Sequence, residues 1–410
     1  MNFTKIALAA AVTLVAAQAQ AATVYLAGAS ATSANYRSAL ATLCTQAGGT
    51  TTQITASSPA DTNLFATKCS TNFAGIPGVD AVSFNVAGGS FTAVTTSVGT
   101  DTAVFLSTAD NTGATRLAAR QSEGGFLDID AAAFPADTLA AAGLAAAPST
   151  SPAAFSQVFG VAVSPQLYTA LQTAQGITAN VDALGVASQP SISKVQYTSI
   201  VSAAFNGAKQ DINAILGVGA AGNKLTVCRR VSTSGTQAAS NEYFLRGFVG
   251  ADGAAAGALP VADQATYGAG SGLDSYEVQE GSGTGNARAC LSTIGPVETP
   301  FYAVGVLSLE NAPDLTTRTD GQRADRKWRF VKVNGVAAFD TANNSTATSK
   351  SGAYDFWFTS HKFGATDNGT AVVNAIDAQL GTVNLPGLFG NDLSDVKAKR
   401  SSNTSPIFFN

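Results

Sequence analysis

Short apolar, β-branched runs alternate along this chain with stretches of helical spacing, and small-residue turns separate them. Residues 23–26 (Thr-Val-Tyr-Leu) form a β-prone run and lead into an Ala27-Gly28-Ala29-Ser30-Ala31-Thr32-Ser33 turn. Beyond it Tyr36, Ala39, Leu40 and Leu43 recur at amphipathic-helix spacing. Residues 78–86 alternate as a strand and meet a sharp Ala87-Gly88-Gly89-Ser90 turn. Residues 155–163 predict a buried strand, and Ser164-Pro165 opens a helix over 166–173 with proline at its first position. Helical spacing returns over 197–205, where Asn206-Gly207 stops it, and over 211–216. A strand at 225–227 then enters Cys228-Arg229-Arg230-Val231-Ser232-Thr233-Ser234-Gly235-Thr236-Gln237, and an amphipathic segment leaves it.

Further runs follow the same rhythm. Residues 302–309 and the aromatic 354–358 read as strands, 328–333 and 336–339 as a hairpin turned at Asn334-Gly335, and 372–380 as a helix. Residues 45–75 are Thr/Ser-rich and read as loop, and 92–150 read as surface elaboration of the first lobe. The Gly/Ala tract over 250–272 leads to Tyr276-Glu277-Val278, and 281–286 (Gly-Ser-Gly-Thr-Gly-Asn) reads as a loop with no β-run directly before it. Strands alternating with helices predict an α/β sheet with parallel connections. No fixed-period repeat occurs, which excludes solenoids and propellers.

The stretch around Arg230 carries chemistry. The first N–H groups of a helix lack intrahelical partners, and the macrodipole favours an anion there. Ser234 and Thr236 add hydroxyls, Gly235 admits close approach to the backbone, and an arginine offers a planar fork for an oxyanion. The competing reading makes Ser234 a simple helix cap and leaves the arginines solvated.

Bulk properties narrow the class. With 410 residues and 45% hydrophobic content, the chain can build two domains with their own cores. Only 12% of residues are charged, so polarity comes from Ser, Thr, Asn, Gln and 40 glycines, which suits a secreted protein. The net charge of −4 and the absence of a long basic run, Lys397-Ala398-Lys399-Arg400 being short, argue against nucleic-acid binding. Residues 1–21 read as a secretory signal peptide: Lys5, an apolar stretch over 6–17, and an Ala19-Gln20-Ala21 cleavage site. That stretch is too short to span a bilayer, no second apolar run of spanning length follows, and no cysteine at the cleavage site invites a lipid anchor.

Four cysteines, Cys44, Cys69, Cys228 and Cys290, predict two disulfides behind such a signal, with three pairings available. Cys44–Cys69 with Cys228–Cys290 is favoured because each pair stays within one lobe. A metal site is not expected, since there is no C-x2-C spacing and His361 is the sole histidine. No cofactor is expected either. Ser234 lacks a nucleophile-elbow context, His361 would have to be the only base, and Asp128 and Asp130 read as solvated loop charges, so catalysis is not expected.

The order of these pieces resembles the periplasmic phosphate-binding proteins, substrate-binding components of ABC importers. Ala27-Gly28-Ala29-Ser30-Ala31-Thr32 is similar to that family's first Gly/Ala/Ser turn, and Phe205-Asn206-Gly207-Ala208 through Ile215-Leu216-Gly217 to a later helix. Arg230-Val231-Ser232-Thr233-Ser234-Gly235-Thr236 matches its Arg-x-Asp-Gly-Ser-Gly-Thr segment, and residues 302–307 resemble its Gly-Ala-Ile-Gly-Tyr strand. The resemblance implies an α/β, two-lobed type II periplasmic binding protein fold with a ligand cleft between the lobes. Lobe 1 would comprise 22–157 plus 311–410, and lobe 2 would comprise 158–310. It implies that Arg230, Ser234, Gly235 and Thr236 hold an oxyanion from one lobe, with Ser30, the Ala31 N–H and Ser90 on the other. Ser232 stands where the family has an aspartate, and Phe91 where its middle loop has an acceptor carboxylate, so an anion is expected more firmly than phosphate. The expected function is capture of a small, phosphate-like oxyanion in the periplasm or outside the cell, with an ABC permease as partner. The alternative is an extracellular or cell-surface interaction protein that keeps the fold without transport.

Overall fold

The structure is a computed structural model. It describes the chain apart from residues 1–21, 59–62, 184, 202–214, 219–223, 246–265, 268–274, 297–299, 312–327, 339–345 and 410. The signal segment, most of the helix expected over 211–216, the end of the one over 197–205 and most of the Gly/Ala tract therefore lie outside the described residues.

Ten of the fourteen described strands of the main sheet form its frame: β1 (Ala22–Gly28), β2 (Thr51–Thr55), β3 (Leu64–Cys69), β4 (Val79–Asn85), β5 (Gly124–Leu127), β6 (Ser151–Val163), β7 (Lys224–Arg230), β8 (Ser275–Gly281), β9 (Tyr302–Ser308) and β10 (Trp357–Gly364). Their spatial order is β2-β3-β4-β1-β5-β10-β6-β9-β7-β8. Two parallel triplets, β4-β1-β5 and β9-β7-β8, form the centres of two lobes. Antiparallel pairs add β3 and β2 at one edge and link the triplets through β10 and β6. β6 belongs to both lobes: Val158 pairs with Trp357 of β10, and Phe159, the next residue, with Ser308 of β9. The two-lobed α/β architecture implied by the sequence is the one present.

Six helices of eight residues or more are described: α1 (Ser33–Gln46), α2 (Pro165–Ala174), α3 (Lys194–Val201), α4 (Gly235–Phe244), α5 (Thr284–Leu291) and α6 (Asp367–Leu380). α1 buries Tyr36, Leu40 and Leu43, and α6 buries Val372, Val373, Ile376 and Leu380, in one core with Val24 and Leu26 of β1. Within it Tyr36 lies between Phe84 and Phe126, ring centroids 5.4 and 5.0 Å away. Each such large side chain stabilises the fold by about 1.5–3 kcal/mol on burial. The second core joins Val161, Val227 and Val304 to Leu167 and Phe244, and it extends to Phe91, Leu127 and Phe134 of the first lobe. The lobes therefore share apolar packing as well as a strand.

Four readings of the sequence need correction. Residues 45–75 hold the β2–β3 hairpin: β2 is hidden because it is mostly threonine with only Ile54 buried, and β3, although buried, because Thr67 and Lys68 interrupt its apolar run. Residues 92–150 are not all surface elaboration: Gly124–Leu127 is a wholly buried strand whose glycines let neighbouring backbones close in, Ala27 O lying 1.7 Å from where a Gly125 Cβ would sit. The glycine-rich 281–286 segment does follow a strand, β8, which runs parallel to β7 and feeds α5. Asn334-Gly335 does turn the chain, with φ of 50° and 81°, the double positive φ of a type I′ turn, but the hairpin expected there is reduced to one Val333–Val336 bridge, since 329–330 pairs with β6 and 332–333 with 191–192.

Cys44 and Cys69 are joined with Cα atoms 5.5 Å apart, tying α1 to β3, and Cys228 and Cys290 with 5.9 Å, tying β7 to α5. By chain entropy each closure is worth roughly 3–4 kcal/mol.

Candidate functional site

Arg230 ends β7 and is 3% exposed. Its Nη1 donates to Thr284 Oγ1, on the first residue of α5, at 2.8 Å and its Nη2 to the Ser282 carbonyl, in the turn after β8, at 3.0 Å. The parallel register that sets Gly281 opposite Arg230 makes these contacts possible, and the Cys228–Cys290 bond holds α5 against β7 beside them. Burial lowers the guanidinium pKa to about 10 against the pull of Asp128. Arg230 therefore stays charged at neutral pH.

Ser234 caps α4, its Oγ accepting from the Gln237 N–H at 3.4 Å. The simple-cap reading is thus true as far as it goes, but an accepting hydroxyl still has a proton to donate. The solvated-arginine reading fails for Arg230.

The first lobe meets this loop directly. Gly88 and Gly89 have φ of 80° and 96°, and a Cβ on Gly89 would lie 2.5 Å from the Thr233 carbonyl oxygen. Phe91 N–H donates to that carbonyl at 3.0 Å, and the Thr233 hydroxyl donates to Gly88 O. A Cβ on Gly235 would sit 2.1 Å from Ser90 Oγ and 2.6 Å from Asp128 Oδ2. Only glycine at 235 lets the two lobes approach this closely.

Asp128 is the residue that sequence reasoning misplaced. It is 3% exposed, directly after β5, and not a solvated loop charge. Desolvation by burial raises its pKa to about 7, against the opposing effects of Arg230, the Ser90 hydroxyl and the Thr236 N–H. Ser90 favours the charged carboxylate without closing a hydrogen bond of regular geometry. Three buried atoms here, Arg230 Nε, Asp128 Oδ1 and Ser90 Oγ, make no hydrogen bond. A buried polar atom left unpaired costs about 1–3 kcal/mol, so clustering three of them calls for a partner. A signal for Asp128 existed in the sequence: an acid flanked by Leu127 and Ile129, both 0% exposed, interrupts an apolar run.

Ser30 lies in the turn between β1 and α1, and its Oγ is 3.1 Å from Thr284 Oγ1. One hydroxyl, that of Thr284, thus joins Ser30 of the first lobe to Arg230 of the second. Ala31 sits beside Ser30 in the same turn, buried. The structure therefore gathers Ser90, Asp128, Arg230, Ser234, Gly235 and Thr236 at one interlobe point and connects Ser30 to it through Thr284. Glu310, beyond β9, also belongs to this environment. Its pKa is raised well above the usual range by burial first and then by Asp128, while Arg288 opposes the rise.

His361 lies elsewhere, on β10. Its Nδ1 is 2.8 Å from Thr150 Oγ1 and 3.9 Å from Asp130 Oδ1, and burial lowers its pKa. Among the described residues no group of three or more His, Cys, Asp or Glu side chains is arranged for a metal ion, and no helix is long and apolar enough to cross a membrane.

No protein-family model and no curated protein matches the chain. Among solved structures it is similar to a Clostridium perfringens protein assigned as a phosphate ABC transporter substrate-binding protein, crystallised with bound phosphate. The two share 13% identity over 87% of this chain and 93% of that one, with a TM-score of 0.42.

Proposed function

We propose that this chain is a solute-binding protein of the phosphate-binding type, which holds a tetrahedral oxyanion between Arg230, the α4 N-terminus and Ser90. The supporting observation is the convergence of three unpaired buried polar atoms, one cationic, one acidic and one hydroxyl, beside a helix N-terminus. Arg230 supplies the charge, while Ser234, Thr236 and the first α4 N–H groups supply neutral donors. Ser30 and the Ala31 N–H close the site from the first lobe. We assign lobe 1 to 22–157 plus 311–410 and lobe 2 to 158–310, place the mature protein in the periplasm or outside the cell, and take an ABC permease as its partner. The role is binding, not catalysis.

Asp128 supplies the acceptor carboxylate that the sequence alone left missing. Next to a bound anion, carboxyl and ligand together need one proton. Hydrogen phosphate brings its own, whereas sulfate binds only when Asp128 is protonated. Sulfate affinity should therefore fall about tenfold per pH unit above pH 7, the region of the Asp128 pKa, and phosphate affinity should stay nearly level. Titration calorimetry at pH 6, 7 and 8 checks this. Parallel pH profiles for the two anions exclude Asp128 as the discriminating group, and no heat with either anion defeats the proposal.

A further inference from the structure

A cleft of about 580 Å³ opens beside the anion site, lined by Ser30 and Thr284 together with Asn35, Asn63, Asn286 and Glu310. Such a volume is typical of sites for small organic ligands, roughly 300–1,000 Å³. Inorganic phosphate, about the size of two or three waters at roughly 30 Å³ each, would leave most of it to solvent.

The lining has a consistent chemistry. Three amides from both lobes face the cleft, and Asn286, whose Oδ1 accepts from the Gly283 N–H at 3.0 Å, keeps its amide protons for another partner. Glu310 Oε2 is buried there and makes no hydrogen bond. Burial raises the Glu310 carboxyl well above the usual carboxylate range, and Arg288 lines the same space. An ammonium group would meet the Arg288 cation in that setting, whereas a hydroxyl can both donate to and accept from amides and a carboxyl. Ser30 and Thr284 border both spaces, so a substituent on the bound anion has a direct path from one to the other.

Resting on the oxyanion reading above, we infer that the preferred ligand is a phosphate monoester whose hydroxylated organic part occupies this cleft. The phosphoryl group would sit at Arg230 and Ser234, and hydroxyls would reach Asn35, Asn63 and Glu310.

Calorimetry with inorganic phosphate, glycerol 3-phosphate and free glycerol tests this on the disulfide-intact protein. Glycerol 3-phosphate should bind at least tenfold more tightly than inorganic phosphate, and glycerol alone should give no heat. Asn35→Ala with Asn63→Ala should erase the preference and leave inorganic phosphate affinity within twofold, with an unchanged melting temperature as the folding control. Equal affinities, or tighter inorganic phosphate, overturn this inference and leave the oxyanion reading standing. Silence from both phosphates overturns both. A preference for the ester that survives the double substitution also overturns it, because the organic part then lies elsewhere.

Discussion

Two strand–turn–helix units face each other across the cleft, and they are not equivalent. The turn before α4 has a capped helix, a buried arginine and a glycine pressed against the other lobe. The turn before α1 has no charge and no side-chain cap; Ser30 reaches across to Thr284, while the Thr32 hydroxyl donates to Tyr36 Oη. The same local architecture therefore serves two purposes. Under the proposed function, one turn would supply charge and most of the binding energy, and the other a hydroxyl, a backbone N–H and closure. Local pattern identifies both units, but only the surrounding burial separates their roles.

The largest effect that would break this asymmetry is Arg230→Ala. It removes the cation from a site with a buried acid, so oxyanion affinity should fall by about 100-fold or more, roughly 3 kcal/mol or above. Calorimetry reads it, and a loss no greater than that for Ser30→Ala would make the two turns equal partners.

Next comes Gly235→Ala, where the new Cβ must displace Ser90 or Asp128. A destabilisation of about 1–3 kcal/mol is expected. Gly285→Ala, which meets nothing within 4 Å, should be nearly silent in the same urea titration. Equal responses would mean that the lobes do not touch at residue 235 in solution.

Asp128→Asn acts on pH dependence. The Asp128 pKa is raised from 3.8 to about 7, so the folded state binds more protons than the unfolded one between those values. Its contribution is fully present below pH 3.8 and is lost as pH rises through 7. The loss is on the order of 4 kcal/mol by pH 8. The asparagine variant should be more stable than wild type at pH 8 and show a smaller decline between pH 4 and 8, with Glu310 keeping part of it. An unchanged slope would place Asp128 in solvent.

Ser30→Ala should be the mildest, losing about 0.5–1.5 kcal/mol of affinity for one neutral hydrogen bond. A loss near that of Arg230→Ala would reassign Ser30 to a principal role.

Much of this was legible in the sequence. Spacing alone outlines β1–α1, β4, β6, β9 and α6, because each combines a clear apolar period with a glycine, serine or proline boundary. The Arg230–Thr236 loop is readable for the same reason. Less visible was whatever depends on partners distant in the chain. β2 is an edge strand whose threonines look like loop, and β3 beside it is a short apolar run broken by Thr67 and Lys68. β5 has only four residues, two of them glycine. Asp128 looks like any loop acid until Arg230, more than a hundred positions away, is brought beside it. The Thr284 hydroxyl gains its meaning only from the β7–β8 register.

The strand common to both lobes has a mechanical consequence. β6 passes from β10 to β9 between the consecutive residues Val158 and Phe159, and the one irregularity in its pairing with β10, between Thr359 and His361, lies away from that crossing. A sharp hinge there would sacrifice sheet hydrogen bonds on both sides, whereas a change of strand twist costs little. β6 is thus a torsion bar rather than a door hinge. If the lobes part to admit a ligand, twisting about the β6 axis would also have to release the Phe91–Thr233 hydrogen bond.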